Sequence, residues 1–210
     1  MLFVRLATTP GMRTACFPAD EDADPASLSR AAALRLPAGT AWVAPAPAAR
    51  QTAAAMGLEP RVVAALAEAD CGRWRGLPYG RVAEEEPEAL ARWLADPEAA
   101  PHGGESLAAM AARVAGWLDT MRERPEGVVV CDVGVIRAAL AHASTTTAIA
   151  ATPHAPNTTA LTTTPHAPGS VASLALLGAA RFDLAPLSTT ELTHARDGWR
   201  VAHVNRKVVS

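Results

Sequence analysis

The chain is short of the features that mark many specialised proteins. Its three cysteines, Cys16, Cys71 and Cys131, are odd in number, far apart and without CxxC spacing. They indicate neither a disulfide framework nor a zinc site. Positive charge is not in excess: 19 Lys and Arg stand against 21 Asp and Glu, a formal net charge of -2. Nucleic-acid binding, which needs a basic stripe to displace counterions, is therefore not expected. Long hydrophobic runs are also missing. The N-terminal MLFVRLATTPG is interrupted at Arg5 and too short for a signal peptide, and no later segment reaches the roughly eighteen apolar residues of a membrane span. The expectation is a cytoplasmic protein without a membrane partner. Tyrosine occurs once, yet 50% of the 210 residues are hydrophobic and 19% charged, a composition that supports one globular domain with a sizeable core.

What is present is organised around Gly127 to Ala143, GVVVCDVGVIRAALAHA. The β-branched run Val128–Val130 suits a strand buried on both faces of a parallel sheet, and Val135, Ala138, Ala139 and His142 follow at helical spacing. In an open α/β sheet ligands bind at the carboxyl ends of strands, which places Cys131, Asp132 and Val133 at a site by topology. Two similar units precede it. Leu2 to Leu6 predicts a strand ending in the loop Ala7 to Gly11, and a helix capped by Ser27 runs to about Leu34. A second strand over Thr40 to Ala44 feeds a helix that Pro47 opens and Gly57 closes. Asp20 to Asp24 reads as a solvated acidic loop. Leu66 to Gly76, LAEADCGRWRG, lacks a clean period and reads as a functional loop. Short helices are expected around Val82 and over Pro87 to Leu94, and a long amphipathic one from Leu107 to Met121. From Ser144 to Ser173 the composition turns to Thr, Ala and Pro, with TPHAP repeated at Thr152 and Thr164, a low-complexity surface insertion in a single domain spanning 1–210. Strands return near Phe182, over Leu187 to Thr193 and over Trp199 to Val204, with Asp197-Gly198 as a hairpin turn.

These pieces together resemble the histidine phosphatase superfamily, the phosphoglycerate mutase-like proteins. VRLATTPG is similar to the family's arginine-histidine-glycine loop, and PAPAARQTA to the motif where an arginine three residues after a proline binds phosphate. LAEADCGRWRG is similar to the segment with the proton-donating glutamate, and PHGGESL to the turn before the long helix. VVVCDVGVIRAALAHA resembles the final motif, where a second catalytic histidine precedes the helix. The fold that the resemblance implies is α/β: a three-layer sandwich, mainly parallel sheet with helices on both faces.

Family chemistry, by the same resemblance, needs a nucleophilic histidine, a second histidine and two arginines. Only Arg5 matches. Leu6 stands at the nucleophile position and has no lone pair to attack with. Ala48 stands at the second arginine position, and Arg50 lies on another helix face. Asp132 stands at the second histidine position. Each lost group removes charge-assisted hydrogen bonds worth roughly 1.5 to 3 kcal/mol. Asp132 also repels a phosphate oxygen about 4 Å away by about 4 kcal/mol per unit charge at an effective dielectric near 20. The resemblance therefore implies a degenerate member, unable to transfer phosphoryl groups by the family mechanism.

The groups left around the crevice are Arg5, Glu68 and Asp132 as candidate catalytic residues, with Thr8, Thr9, Asp70 and His102 as candidate substrate contacts. Carboxylates beside one arginine suit an amine, a polar neutral ligand or proton transfer, and need no cofactor or metal. Two readings stay open. One is an enzyme using Asp132 and Glu68 as acid and base on a small molecule, a lyase, isomerase, cyclase or hydrolase. The other is a pseudophosphatase that binds or regulates, with Arg5 and Asp132 as a buried ion pair filling the hole left by two histidines. A homodimer is compatible with either. Cys131 is expected to be a small buried hydrophobe, the histidines of TPHAP solvated, and the tryptophans Trp74, Trp93 and Trp117 core or pocket wall.

Overall fold

A computed structural model describes residues 1–36, 39–150, 178–179, 183–196 and 198–207. Among them one six-stranded sheet is flanked by seven α-helices. The strands are β1 (Leu2–Arg5), β2 (Thr40–Val43), β3 (Glu59–Val62), β4 (Val128–Cys131), β5 (Ser188–Ala195) and β6 (Gly198–Lys207). Their order is β3-β2-β4-β1-β5-β6. The first four run parallel, and β5 turns antiparallel to β1 and carries β6 as the outer strand of a hairpin. The sheet is α/β and mainly parallel, as the resemblance implied.

All four residues of β4 are buried, which the continuous valine run required of a strand covered on both faces. Its register sets Arg5 of β1 opposite Cys131, so the chain leaves both strands at the same edge of the crevice. The helices are α1 (Pro10–Arg13), α2 (Pro25–Ala33), α3 (Pro47–Ala55), α4 (Tyr79–Glu85), α5 (Pro87–Ala95), α6 (Leu107–Thr120) and α7 (Val133–Ala150). Prolines open α1, α2, α3 and α5, where the missing N–H is no loss. Helix α2 packs on α3, and α6 on α7.

Ser27 does not cap α2, which begins at Pro25 with Asp24 at the N-cap position and buries Ser27, and four further features differ from the sequence reading. The strand β3 carries no apolar signal, its four side chains being exposed, and is held by backbone bonds of Glu59 to Gly39 and Val63 to Val43. Pro60 is tolerated because β3 is an edge. Helix α7 does not stop near His142: Ser144 and Thr145 donate their hydroxyls to the carbonyls of Leu140 and Ala141 at 2.9 Å, four residues back, and the helix continues to Ala150. The rest of the expected insertion, both TPHAP repeats, Phe182 and Asp197 lie outside the described residues. The acidic run is a loop with Asp20 and Asp22 exposed, as expected, but it is tied down. Glu21 accepts the Gly11 N–H at 2.9 Å, Asp22 accepts from Gln51 at 2.7 Å, Asp24 pairs with Arg13 at 2.6 Å, and Ala23 between them is buried.

The fourth is a second, smaller core beside the main one. Phe17, Cys71, Trp74 and Val82 are its buried members, with Leu77, Leu90 and Trp93 packed against them. Trp74 is fully buried there, while Trp117 packs on the main core.

Candidate functional site

The ends of β1, β2 and β4, together with the loop from Ala67 to Cys71, enclose a pocket of about 480 Å³. Its floor is apolar, with Leu6, Ala44 and Ala48 nearly fully buried. Carboxylates dominate its polar lining: Asp20, Glu21, Glu68, Asp70 and Asp132 face two arginines, Arg5 and Arg75. Arg75 is itself paired with Asp20 at 2.5 Å.

Asp132 follows β4 directly and stands before the first residue of α7. Its Oδ1 accepts the Val133 N–H at 2.7 Å and the Arg5 Nε–H at 3.3 Å. Arg5 is engaged on every nitrogen: besides Asp132, its Nη1 donates to the Leu184 carbonyl, and its Nη2 lies 3.7 Å from the Met12 sulfur. Exposure of 15% and 17% for the two side chains leaves the pair at the pocket wall and largely out of water.

Glu68 reaches the same helix end from the opposite wall. Its Oε2 accepts the Gly134 N–H at 2.9 Å and its Oε1 the N–H of Ala69 at 3.0 Å. Gly134 lets the carboxyl approach this closely, since a Cβ would lie 1.9 Å from Glu68 Oε1 and turn the side chain away. The helix N-terminus favours negative charge, yet burial and then the Asp132 carboxylate push the Glu68 carboxyl up to about 7, against the pull of the Ala69 and Gly134 amides and of Arg113. The folded protein therefore holds this proton more tightly than the unfolded chain. That stabilisation is complete below the ordinary value of 4.5 and fades as pH rises to about 7. Urea titrations across this window should show a loss of about 2 kcal/mol from this group, less than the full shift implies because the carboxyl still touches solvent. Glu68→Gln should remove that slope and be more stable than wild type at pH 8; an unchanged slope would contradict the assignment.

The other expected site residues divide. Thr9 and Asp70 line the pocket, Thr9 capping α1 through the Met12 N–H at 3.4 Å and Asp70 accepting the Gly72 N–H at 3.0 Å. Thr8 does not line it: its N–H and hydroxyl turn to Ser27 and its carbonyl to Asp24, so it anchors α2. His102 is also elsewhere, 2% exposed in the second core with its ring 5.0 Å from that of Trp74. Its Nδ1 accepts the Gly104 N–H at 3.0 Å, and burial lowers its basicity. Cys131 is fully buried, and burial with the nearby Glu68 and Asp132 charges pushes its thiol well up, away from a nucleophilic thiolate. Cys71 is likewise pushed up to about 12, mainly by burial.

Glu21 and Tyr79 are wall residues that the sequence reading missed. Tyr79, 38% exposed, stacks on Phe17 at 4.0 Å, and its hydroxyl is pushed up to about 12 by burial and by the negative groups around it. The close approach of Gly11 to Glu21, where a Cβ would lie 2.7 Å from Oε2, leaves no mark in a single sequence beyond the glycine itself. Among the described residues no group of three or more His, Cys, Asp or Glu is placed to hold a metal ion, and no helix is long and apolar enough to cross a membrane.

Comparison with known proteins gives this geometry a setting. The family model for the histidine phosphatase superfamily, branch 1, matches residues 26–176. A bifunctional protein of Mycobacterium tuberculosis is 40% identical over 65 residues, 31% of this chain and 18% of that protein. Phosphoserine phosphatase 1 of Hydrogenobacter thermophilus is 40% identical over 60 residues, 28% of each chain. These alignments span less than a third of the curated relatives. A mycobacterial glucosyl-3-phosphoglycerate phosphatase, solved in complex with VO3, superposes with a TM-score of 0.72 at 22% identity over 99% of this chain and 98% of the other, a likeness of fold alone.

Proposed function

The chain belongs to the histidine phosphatase superfamily, and we propose that within it the pocket serves acid/base chemistry on a small metabolite, a lyase, isomerase, cyclase or hydrolase step, in place of phosphoryl transfer. The observation that carries this reading is the convergence of Glu68 and Asp132 on the first turn of α7, one bound to amides and the other paired with Arg5. Two carboxyls in unlike surroundings at a mostly dry site have the makings of an acid and a base. Glu68, poised near 7, holds the exchangeable proton. Asp132 supplies a second carboxyl at the same helix end. Arg5 acts by holding Asp132, with Nη1 on the Leu184 carbonyl and Nη2 against the Met12 sulfur.

The same geometry argues against a phosphate ligand. Leu6, at the place where the family carries its nucleophile, is a buried hydrocarbon, and Ala48 leaves an apolar floor where the second arginine would reach. A dianion entering would meet Asp132 and Glu68 beside an Arg5 already paired with Asp132 and bonded to the Leu184 carbonyl. An amine or a polar neutral molecule meets no such barrier. Turnover of an aryl phosphate and of sugar phosphates is expected to be absent; activity abolished by Asp132→Ala would overturn the reading.

The Arg5–Asp132 pair favours one competing reading, a pseudophosphatase that binds without converting, because a largely buried ion pair can simply fill space. A thermal-shift screen of amines, polar neutral metabolites and phosphorylated controls separates the two. A ligand that stabilises wild type and is transformed, with transformation lost in Asp132→Ala or Glu68→Gln, supports the enzyme. Binding undiminished in both variants, with nothing converted, supports the pseudophosphatase.

A further inference from the structure

Glu68 sits on a loop with no regular secondary structure of its own, between the short 3-10 turns Ala64–Leu66 and Gly72–Trp74. Something outside the loop must fix it if a carboxyl at its centre is to meet the end of α7 within hydrogen-bond distance. Arg113, on α6, reaches into that loop from the side opposite the pocket. Its Nη1 donates to the Ala65 carbonyl at 2.8 Å and its Nη2 to the Glu68 carbonyl at 3.3 Å. The same guanidinium is gripped in fork geometry by Glu105, through Nε to Oε1 at 2.8 Å and Nη2 to Oε2 at 2.7 Å. Glu105 in turn donates its backbone N–H to the Asp70 carbonyl at 2.8 Å. One planar group thus ties two loop carbonyls to a carboxylate at the start of α6, and α6 packs along α7, which carries the Gly134 amide at the other end of Glu68.

We propose that Arg113 is the positioning residue of Glu68: its fork fixes the loop so that the Glu68 carboxyl reaches the first turn of α7. A lysine could not replace it. An ammonium is a point donor without the planar set of donors that holds two carbonyls and a carboxylate together. The proposal rests on reading Glu68 as the proton-exchanging group, and its test needs neither a substrate nor turnover.

The Gly134 amide is the reporter, because its N–H is bound to Glu68 Oε2. In wild type its nitrogen and proton shifts should titrate with the Glu68 midpoint, identified by its loss in Glu68→Gln, and its hydrogen exchange should be slow. In Arg113→Lys the charge remains and the fork is lost. The midpoint should fall by roughly one unit toward the ordinary carboxyl value as Glu68 becomes solvated, and Gly134 should exchange roughly tenfold faster. Arg113→Gln should speed Gly134 exchange alike, though its midpoint also loses the downward pull of the Arg113 charge, and Glu105→Gln, which keeps Arg113 and weakens its grip, should shift both readings in the Arg113→Lys direction by less. Unchanged midpoint and exchange in these variants would overturn the proposal. So would a midpoint that rises in Arg113→Gln while Arg113→Lys leaves both readings unchanged, which would make Arg113 only a neighbouring positive charge. If the Arg113 variants do not fold, the Glu105→Gln readings decide. A wild-type Gly134 amide that shows no titration near 7 would instead count against the proposed chemistry, with the exchange rates still testing the clamp.

Discussion

Trp74→Ala is expected to lower the unfolding free energy by about 3 to 5 kcal/mol, the range for removing a fully buried large aromatic. The ring has no exposed surface and stands at the middle of the second core, 5.2 Å from Phe17, 5.0 Å from His102 and 6.2 Å from Trp93 by ring centroids. Its Nε1 donates to Glu86 at 2.9 Å, and Glu86 is also the partner of Arg73, so the indole ties the 3-10 turn at Gly72–Trp74 to the junction of α4 and α5. A small cluster has few neighbours able to collapse into the vacated space. The cost should therefore sit at the upper end of the range. Urea denaturation measures it directly; a loss under about 1 kcal/mol would mean that the cluster contributes little to folding.

Gly104→Ala should cost about 3 kcal/mol, high for the addition of one methyl group. The Cβ would lie 2.0 Å from the Asp70 carbonyl oxygen and 2.7 Å from the Gly72 nitrogen, both backbone atoms that cannot swing aside. Gly72 meets the same segment from the other side, with φ +48 and a Cβ position 2.3 Å from the His102 carbonyl oxygen. Two loops thus lie backbone against backbone, joined by Arg73 to His102 and Glu105 to Asp70 hydrogen bonds. For a domain of this length the loss should appear as a fall in Tm of about 6–12 °C. Gly80→Ala is the matched control, because nothing lies within 4 Å of its Cβ position. Equal melting temperatures for the two variants would contradict the close approach. At Gly134, in contrast, an added methyl meets only the end of the Glu68 side chain, which can rotate away.

The parts of this molecule that were legible in the sequence are those where a local pattern and a burial requirement coincide. The valine run of β4 could be read as a strand covered on both faces, and the chain order of the motifs placed Arg5 and Asp132 at neighbouring strand ends, where the structure joins them at 3.3 Å. The strand β3 was not legible because Glu59-Pro60-Arg61-Val62 has no apolar alternation; it exists because β2 offers it an edge. The second core was not legible because Phe17, Trp74, Trp93 and His102 come from four separate segments with no shared period. His102 lies in the turn expected to face the crevice, but its ring fills a gap among tryptophans instead. Thr8 and Thr9 are adjacent and turn opposite ways, a one-residue distinction that composition cannot make. The clamp on Glu68 depends on Arg113 and Glu105, eight residues apart across the start of α6, and on two carbonyls more than forty residues away.

The position of β1 in the sheet has a consequence for how the chain is made. Of the six strands of the sheet this one comes first along the chain, and it lies between β4 and β5, paired through Leu2 with Val128 and with Glu191. The amino group of Met1 bonds to the Leu192 carbonyl, 191 residues later. At ribosomal speeds of about 5–20 residues per second, roughly 10 to 40 s pass between the emergence of β1 and that of its last partner. Until β4 emerges Phe3 and Val4, fully buried in the finished protein, have no strand to pair with, and until β5 arrives β1 has only one of its two neighbours. Pairings so distant in sequence also close slowly once all strands are present. The apolar first strand thus waits for both of its partners, and the antiparallel hairpin of β5 and β6 closes its second edge when it arrives.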